Sequence, residues 1–206
     1  GGYSEDVTVM ETKDNSLSLA APHVTPNLFS MLGAQPLLGR TFTEGEGQAG
    51  APLVALLSEG LWRESFHSDQ GVVGYSVKIA GKPYTIVGVM PQSFRFPEQI
   101  GPDLQKGLWM PLQPTPAMLN DRGYNFLNVV AQLQPGASIA QAQHELDAIM
   151  AHIPRKAQIK LWVSSYHELL TGPVRPVLIA LLVALALVLL IACANVSNLL
   201  IARCLG

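Results

Sequence analysis

The chain has 206 residues, of which 49% are hydrophobic and only 14% charged, and its formal net charge is −2. Soluble domains carry about 25% charged residues, so this balance argues against disorder and against a conventional cytosolic domain. The length excludes a complete multi-span transporter or a two-domain enzyme. The basic residues are scattered, with Arg155-Lys156 the densest pair, so no nucleic-acid partner is expected.

The first segment reads as β-rich. Val7 and Val9 alternate with polar neighbours, Lys13 to Ser16 supplies turn chemistry, and Leu17, Leu19 and Ala21 alternate again, which predicts a hairpin. A short helix is expected next, with Thr25 as N-cap, Pro26 in its first turn, Leu28, Phe29 and Leu32 on its apolar face and Gly33 as its left-handed stop. Thr41 to Gly50 is polar, glycine-rich and without periodicity, and is expected to be a surface link between two lobes.

The second lobe opens with the apolar run Leu53 to Leu57 and a helix capped by Ser58, with Leu61, Trp62 and Phe66 inward. Val77 to Ile79 and Tyr84 to Val89 flank Ala80-Gly81-Lys82-Pro83, which predicts a hairpin with a three- to four-residue loop ended by Pro91. From Pro91 to Pro116 glycine and proline recur too often for long elements, so an extended loop anchored by Phe94, Phe96, Trp109 and Leu112 is expected.

Asn128 to Leu133 reads as a strand and Gln134-Pro135-Gly136 as a turn, with Ser138-Ile139-Ala140-Gln141 as a capping box. The helix it opens is expected to bury Ile139, Ala142, Leu146, Ile149 and Met150 and to end before Pro154. A strand over Ile159 to Val163 then completes a right-handed β-α-β unit. Tyr166 to Pro176 joins this lobe to a stretch between Arg175 and Arg203 that has no charged residue over about 27 positions, enough to cross a bilayer. Its Val177 to Ile191 part holds about 12 Val, Leu or Ile residues, worth roughly −4 to −7 kcal/mol on insertion. Arg175 and Arg203 guard opposite ends, so charge alone does not orient it.

Motifs for chemistry are weak. Gly45 to Gly50 matches GxGxxG, but neither a buried strand precedes it nor a capped helix follows. His144-Glu145 and His167-Glu168 begin the HExxH pattern without its second histidine, and His23, His67 and His152 have no helpful spacing. Glu44 with Glu46, and Glu145 with Asp147, read as surface carboxylates. No GxSxG elbow and no P-loop occurs, so no catalytic, metal or cofactor residue is assigned. Cys193 and Cys204 lie in or just beyond the apolar run, which leaves the polar part without an internal disulfide. Asn195 and Asn198 share one helix face with Ser197 nearby. They fit two readings equally: hydrogen bonding to another membrane helix, or simple placement at the far headgroups. The chain opens at Gly1-Gly2 without Met or leader and stops just after the apolar run, so a fragment of a longer chain, or a trimmed form of one, is expected.

Six stretches share one pattern: VTPNLFSMLGAQPLLGRTFTEGE (Val24 to Glu46), LLSEGLWRESF (Leu56 to Phe66), VVGYSVKIAGKPYTIVGVMPQSFRFP (Val72 to Pro97), LWMPL (Leu108 to Leu112), NVVAQLQPGASIAQAQHELDAI (Asn128 to Ile149) and LLIACANVSNLLIAR (Leu189 to Arg203). In order, they resemble the periplasmic core and following membrane helix of MacB-like and FtsX-like ABC transporter permeases, most of all the large permeases abundant in acidobacteria. The resemblance implies an α+β fold with a two-lobed periplasmic core, made of β-hairpins plus a β-α-β unit and followed by one C-terminal transmembrane helix. The core is expected over residues 1–172, with lobe one at about 1–44 and 120–172 and lobe two at about 51–116, and the connector and helix over 173–206.

The resemblance also implies a bacterial inner-membrane protein with its main domain in the periplasm. A separate or fused ABC ATPase binds the ATP, two permease halves pair as a homodimer or pseudo-dimer, and the helix lies in the lipid bilayer. No cofactor belongs to this chain and no enzymatic activity is expected of it. The expected role is mechanical, with force passing through the Leu170 to Pro176 connector that Pro173 and Pro176 stiffen. Two rivals are a membrane-anchored periplasmic binding or sensor module without a transport role, and a membrane-tethered hydrolase, for which the motifs supply no polar pocket.

Overall fold

The computed structural model describes residues 1–4, 6–11, 16–94, 106–120, 127–152, 161–165 and 175–204, with the side chains of 175–177, 195–202 and 204 outside that description. Described residues up to Pro135 form one compact unit and those from Gly136 onward a second.

The first unit is built on one sheet of ten strands: β1 (Gly2–Tyr3), β2 (Val7–Glu11), β3 (Ser16–Ala20), β4 (His23–Val24), β5 (Leu38–Gly39), β6 (Val54–Ser58), β7 (Ser76–Ile79), β8 (Lys82–Met90), β9 (Leu108–Pro111) and β10 (Asn128–Val129). Their order is β10-β1-β4-β9-β6-β8-β7-β2-β3, with β5 added on β8, so strands from residues 1–44 and 51–116 share a sheet. β4 runs parallel to β9 and β6 parallel to β8, and the other pairs are antiparallel.

The central strand β6 is buried on both faces, which is why it reads as an unbroken apolar run. Ala55 and Leu57 face one core with Leu61 and Trp62 of helix α2 (Glu59–Phe66). Val54 and Leu56 face the other with Leu28 and Phe29 of helix α1 (Leu28–Met31). Ser58 caps α2 as expected, its hydroxyl accepting from Leu61 N at 3.2 Å. Parallel strands need a crossover, and β6 to β8 makes it through α2 and β7. On β8 the register slips between Ile86 and Gly88, leaving Val87 as an extra residue opposite β6. That bulge lets Ile86 and Val89 face the same core, which strict alternation forbids.

Several sequence-based expectations change. The first hairpin forms, but Met10 and Leu19 point inward while Val7 and Val9 are exposed. Opposed residues in an antiparallel pair share a face, so the choice follows from Thr8 and Met10 lying opposite Leu19 and Leu17. Asn27, not Thr25, stands at the N-cap of α1. The Thr25 hydroxyl is engaged elsewhere, accepting from Gly2 N at 2.9 Å and donating to Asn27 Oδ1 at 2.8 Å. Leu32 is exposed, and Gly33 takes its left-handed stop with φ 67°. The second hairpin turns on two residues, Ala80 (φ 47°) and Gly81 (φ 75°), and Pro83 already pairs with Lys78. Two consecutive positive φ angles belong to the type I′ turn that matches strand twist.

The segment expected as a loop contains β9, which pairs with β4 and β6. Leu108 and Met110 enter one core and Trp109 the other. Phe94 packs on the Trp109 ring at 5.9 Å, whereas Phe96 lies outside the described residues.

The glycine-rich stretch is not a bare link. It forms a 3-10 turn over Glu44–Gly47, and Glu46 is buried. Arg40 grips the Glu46 carboxylate with both terminal nitrogens, at 3.0 and 2.7 Å, and Thr43 N donates to it at 2.7 Å. These donors, the Arg40 bonds foremost, outweigh burial and hold the carboxyl below its ordinary value. The unfolded chain therefore takes up the proton more readily than the folded one. The stability from this contact is complete above the ordinary carboxyl value of about 4.3 and disappears as pH falls through the folded value. Glu46→Gln is expected to cost about 1–3 kcal/mol at pH 7, with the gap from the parent narrowing below pH about 4 in urea melts. A gap that stays constant down to acid pH contradicts this account.

In the second unit, helix α4 (Ile139–Ala151) opens on the expected capping box. Gln141 N donates to Ser138 Oγ at 3.2 Å and Ser138 N to Gln141 Oε1 at 2.8 Å. Its apolar side is not covered as expected: no α4 residue is fully buried, Ile139 and Ile149 are exposed, and Ala142, Leu146 and Met150 are half-buried. Strand β10 is only two residues long, and Leu161 to Val163 is not a strand, while Ile159 lies outside the described residues. The expected β-α-β unit is thus absent among the described residues, because the Gln143 amide, not a neighbouring strand, meets that backbone. Gln143 Nε2 donates to Leu161 O at 3.2 Å and Val163 N donates to Gln143 Oε1 at 2.7 Å.

Helix α5 runs over Arg175–Cys204, 30 residues. Its described side chains, Leu178 to Ala194 and Arg203, are all exposed. Counting only residues whose side chains are described, no helix is long and apolar enough to cross a membrane.

Candidate functional site

A cleft of about 440 Å³ opens in the first unit at the end of the sheet where β9 finishes and β6 and β8 begin. Its polar walls are Ser4 after β1, Asp6 before β2, His23 of β4, Tyr84 of β8 and Gln113 and Thr115 beyond β9; Leu53, Pro111, Leu112 and Met118 supply apolar surface. Met118 sits on helix α3 (Pro116–Asn120).

The chain brings these residues together through sheet order. β1 pairs with β4 and β4 with β9, so the segment after β1, the start of β4 and the exit of β9 meet at one edge. His23 Nδ1 stands 3.5 Å from Asp6 Oδ2. Burial pulls the imidazole below its ordinary value, and the Asp6 charge only partly offsets that. Burial likewise pushes the Tyr84 hydroxyl up. Asp6 Oδ1 accepts from Val7 N at 2.9 Å. Gln113 Nε2 donates to the carbonyls of Glu46 (3.0 Å) and Ala51 (3.3 Å), which ties the 3-10 turn to the strand exit.

This arrangement of hydroxyl, carboxylate, imidazole and amide groups beside an apolar wall can hold a small ligand. Among the described residues no group of three His, Cys, Asp or Glu is placed to hold a metal ion. His67, His144 and His152 are exposed and are not among the residues that line the cleft, and His167 lies outside the described residues.

Of the residues singled out in the sequence, Asn195, Ser197 and Asn198 fall within α5, with side chains outside the described ones. Pro176 is the second residue of α5, while Pro173 and the rest of the connector back to Leu170 lie outside the described residues. The cleft itself escaped sequence reasoning. Asp6, His23, Tyr84 and Gln113 obey no spacing rule, and only the order of the strands collects them.

The chain matches the family described as MacB-like periplasmic core domain over residues 2–149. Two solved structures share the fold. The periplasmic region of MacB from Actinobacillus actinomycetemcomitans superposes with a TM-score of 0.51 at 15% identity, covering 73% of this chain and 65% of that one. A domain of a putative permease protein from Porphyromonas gingivalis gives 0.55 at 19% identity, covering 75% and 64%. The chain thus spans slightly less than two thirds of either structure. No curated protein matches it. With more than half its length accounted for by that match, the chain belongs to the MacB-like periplasmic core domain family.

Proposed function

We propose that this chain is the periplasmic core and one adjoining membrane helix of an ABC transporter permease, and that it couples motion of its helix, driven by a partner ATPase, to work in the periplasm. The observation that carries the reading is a MacB-like core domain over residues 2–149 followed on the same chain by a 30-residue helix. At 1.5 Å per residue that helix is about 45 Å long, which exceeds the hydrocarbon thickness of a bilayer. Its sequence between Arg175 and Arg203 has no charge, and leucines such as Leu181 (67% exposed) and Leu185 (66%) face outward all along it. In water such a surface is unfavourable, and lipid or other membrane helices satisfy it.

On this reading residues 1–172 stand in the periplasm and 173–206 are connector and helix in the inner membrane. A separate or fused ABC ATPase binds ATP, a second permease half completes the pair, and this chain has neither cofactor nor catalysis of its own. Asn195, Ser197 and Asn198 then meet another helix or the headgroups, and Pro173 and Pro176 keep the connector stiff. Inserting a flexible Gly/Ser segment between Leu170 and Pro176 of the full permease is expected to reduce transport-coupled ATPase stimulation at least severalfold while basal ATPase persists. Unchanged coupling overturns the mechanical role. The anchored binding or sensor module keeps a second place because of the cleft at His23; a reading frame that lacks further spans and a neighbouring P-loop ATPase gene favours it.

A further inference from the structure

We propose that the cleft beside β4 is a binding site for a primary ammonium carried on a small apolar body, with Asp6 meeting the ammonium and Leu53, Leu112 and Met118 meeting the body. The charge pattern is the first reason. Among the cleft-lining residues Asp6 is the sole carboxylate, and no Lys or Arg lines the cleft or pairs with it among the described residues. The Nδ1 of His23, its neighbour, lies 3.5 Å from Asp6 Oδ2, too far for a good hydrogen bond, and burial works against a positive charge on that imidazole. Asp6 Oδ1 is occupied by Val7 N, so Oδ2 is the oxygen left for an incoming donor.

The hydrogen-bonding character points the same way. Gln113 spends its amide nitrogen on the Glu46 and Ala51 carbonyls, which fixes the amide orientation and leaves its Oε1 as an acceptor. Carboxylate and amide oxygen together ask for a ligand rich in N–H donors and reject an anion. Size sets the rest: about 440 Å³ is near the lower end of small-molecule sites, room for one aromatic ring or a side chain of similar bulk. A half-exposed carboxylate is a modest attractor, so the apolar wall must contribute alongside it.

The inference does not depend on transport, since binding is measured on the isolated chain in detergent whether or not a permease surrounds it. The probe is tyramine, compared with 4-ethylphenol, which lacks the ammonium, and 4-hydroxyphenylacetate, which reverses the charge. Calorimetry at pH 7 is expected to show saturable tyramine binding, roughly tenfold weaker binding of 4-ethylphenol and none of the acid. Asp6→Asn is expected to weaken tyramine roughly tenfold and leave 4-ethylphenol unchanged. Met118→Trp, which adds bulk on the apolar side from helix α3, is expected to abolish both, and unchanged urea midpoints show that each variant folds. No saturation up to about 10 mM tyramine, equal binding of amine and neutral phenol, or an Asp6→Asn variant that binds tyramine as the parent does overturns the site.

Discussion

Phe29→Ala is expected to lower the unfolding free energy by about 3–5 kcal/mol, the cost of removing a fully enclosed aromatic ring. Phe29 has 0% exposure and stands in a ring cluster, 5.9 Å from Phe42, 5.5 Å from Phe94 and 5.9 Å from Trp109. Those partners come from three separate parts of the chain, each held by its own backbone, so they cannot close the void together. Helix α1 adds to the cost. It is four residues long and has no side-chain cap, so burial of Leu28 and Phe29 is what keeps it in place. Domain stabilities are about 5–15 kcal/mol, which makes such a loss a large share of the whole. Urea denaturation followed by tryptophan fluorescence measures it, because Trp109 reports from inside the cluster. Val9→Ala is the matching control: Val9 is 46% exposed on the outer hairpin face, and its loss is expected to stay within about 0.5 kcal/mol. Comparable losses in the two variants contradict the assignment of faces.

Gly39→Ala is expected to cost about 2–5 kcal/mol, from about 1–2 for a left-handed alanine and about 1–3 for overlap with backbone. Gly39 has φ 70°, and a Cβ there would overlap the carbonyl oxygen of Val87 and come within 2.9 Å of Gly88 Cα. The contact is reciprocal, since a Cβ on Gly88 would fall 2.5 Å from Arg40 O and 2.7 Å from Leu38 O. The two paired strands approach closely here because neither residue of the Gly39–Gly88 pair has a side chain. Arg40 follows directly, its N bonded to Val87 O at 3.0 Å. Displacing β5 therefore moves the guanidinium that neutralises Glu46. Gly39→Ala and Glu46→Gln are expected to be non-additive, the double variant losing clearly less than the sum of the two. Additive losses in a denaturant double-mutant cycle show that β5 position and the Glu46 contact are independent.

Local signals carried their elements reliably. The Ser58 cap, the Ser138 box, the Gly33 stop and both hairpins each depend on residues within a few positions of one another, and their hydrogen bonds close without help from the rest of the chain. The Glu46 case shows the limit. A glycine-rich, acidic stretch reads as a wet link because nothing in residues 41–50 announces that Arg40 will curl back and that Gln113, far along the chain, will pin the turn from outside.

Composition and periodicity by themselves determined the division into a polar part and a terminal apolar helix, and the capped helices, because these rest on transfer energies and short-range backbone bonding that each segment meets alone. Only the tertiary structure decided that Leu108–Pro111 is a strand, that Val9 faces out and Met10 in, that Gln143 rather than a strand meets Leu161 and Val163, and that Asp6 and His23 share a cleft. A strand's partners, and hence its faces and the side chains collected at its ends, are fixed by pairing between residues distant in sequence. The energy of such pairing exists only once both strands are present.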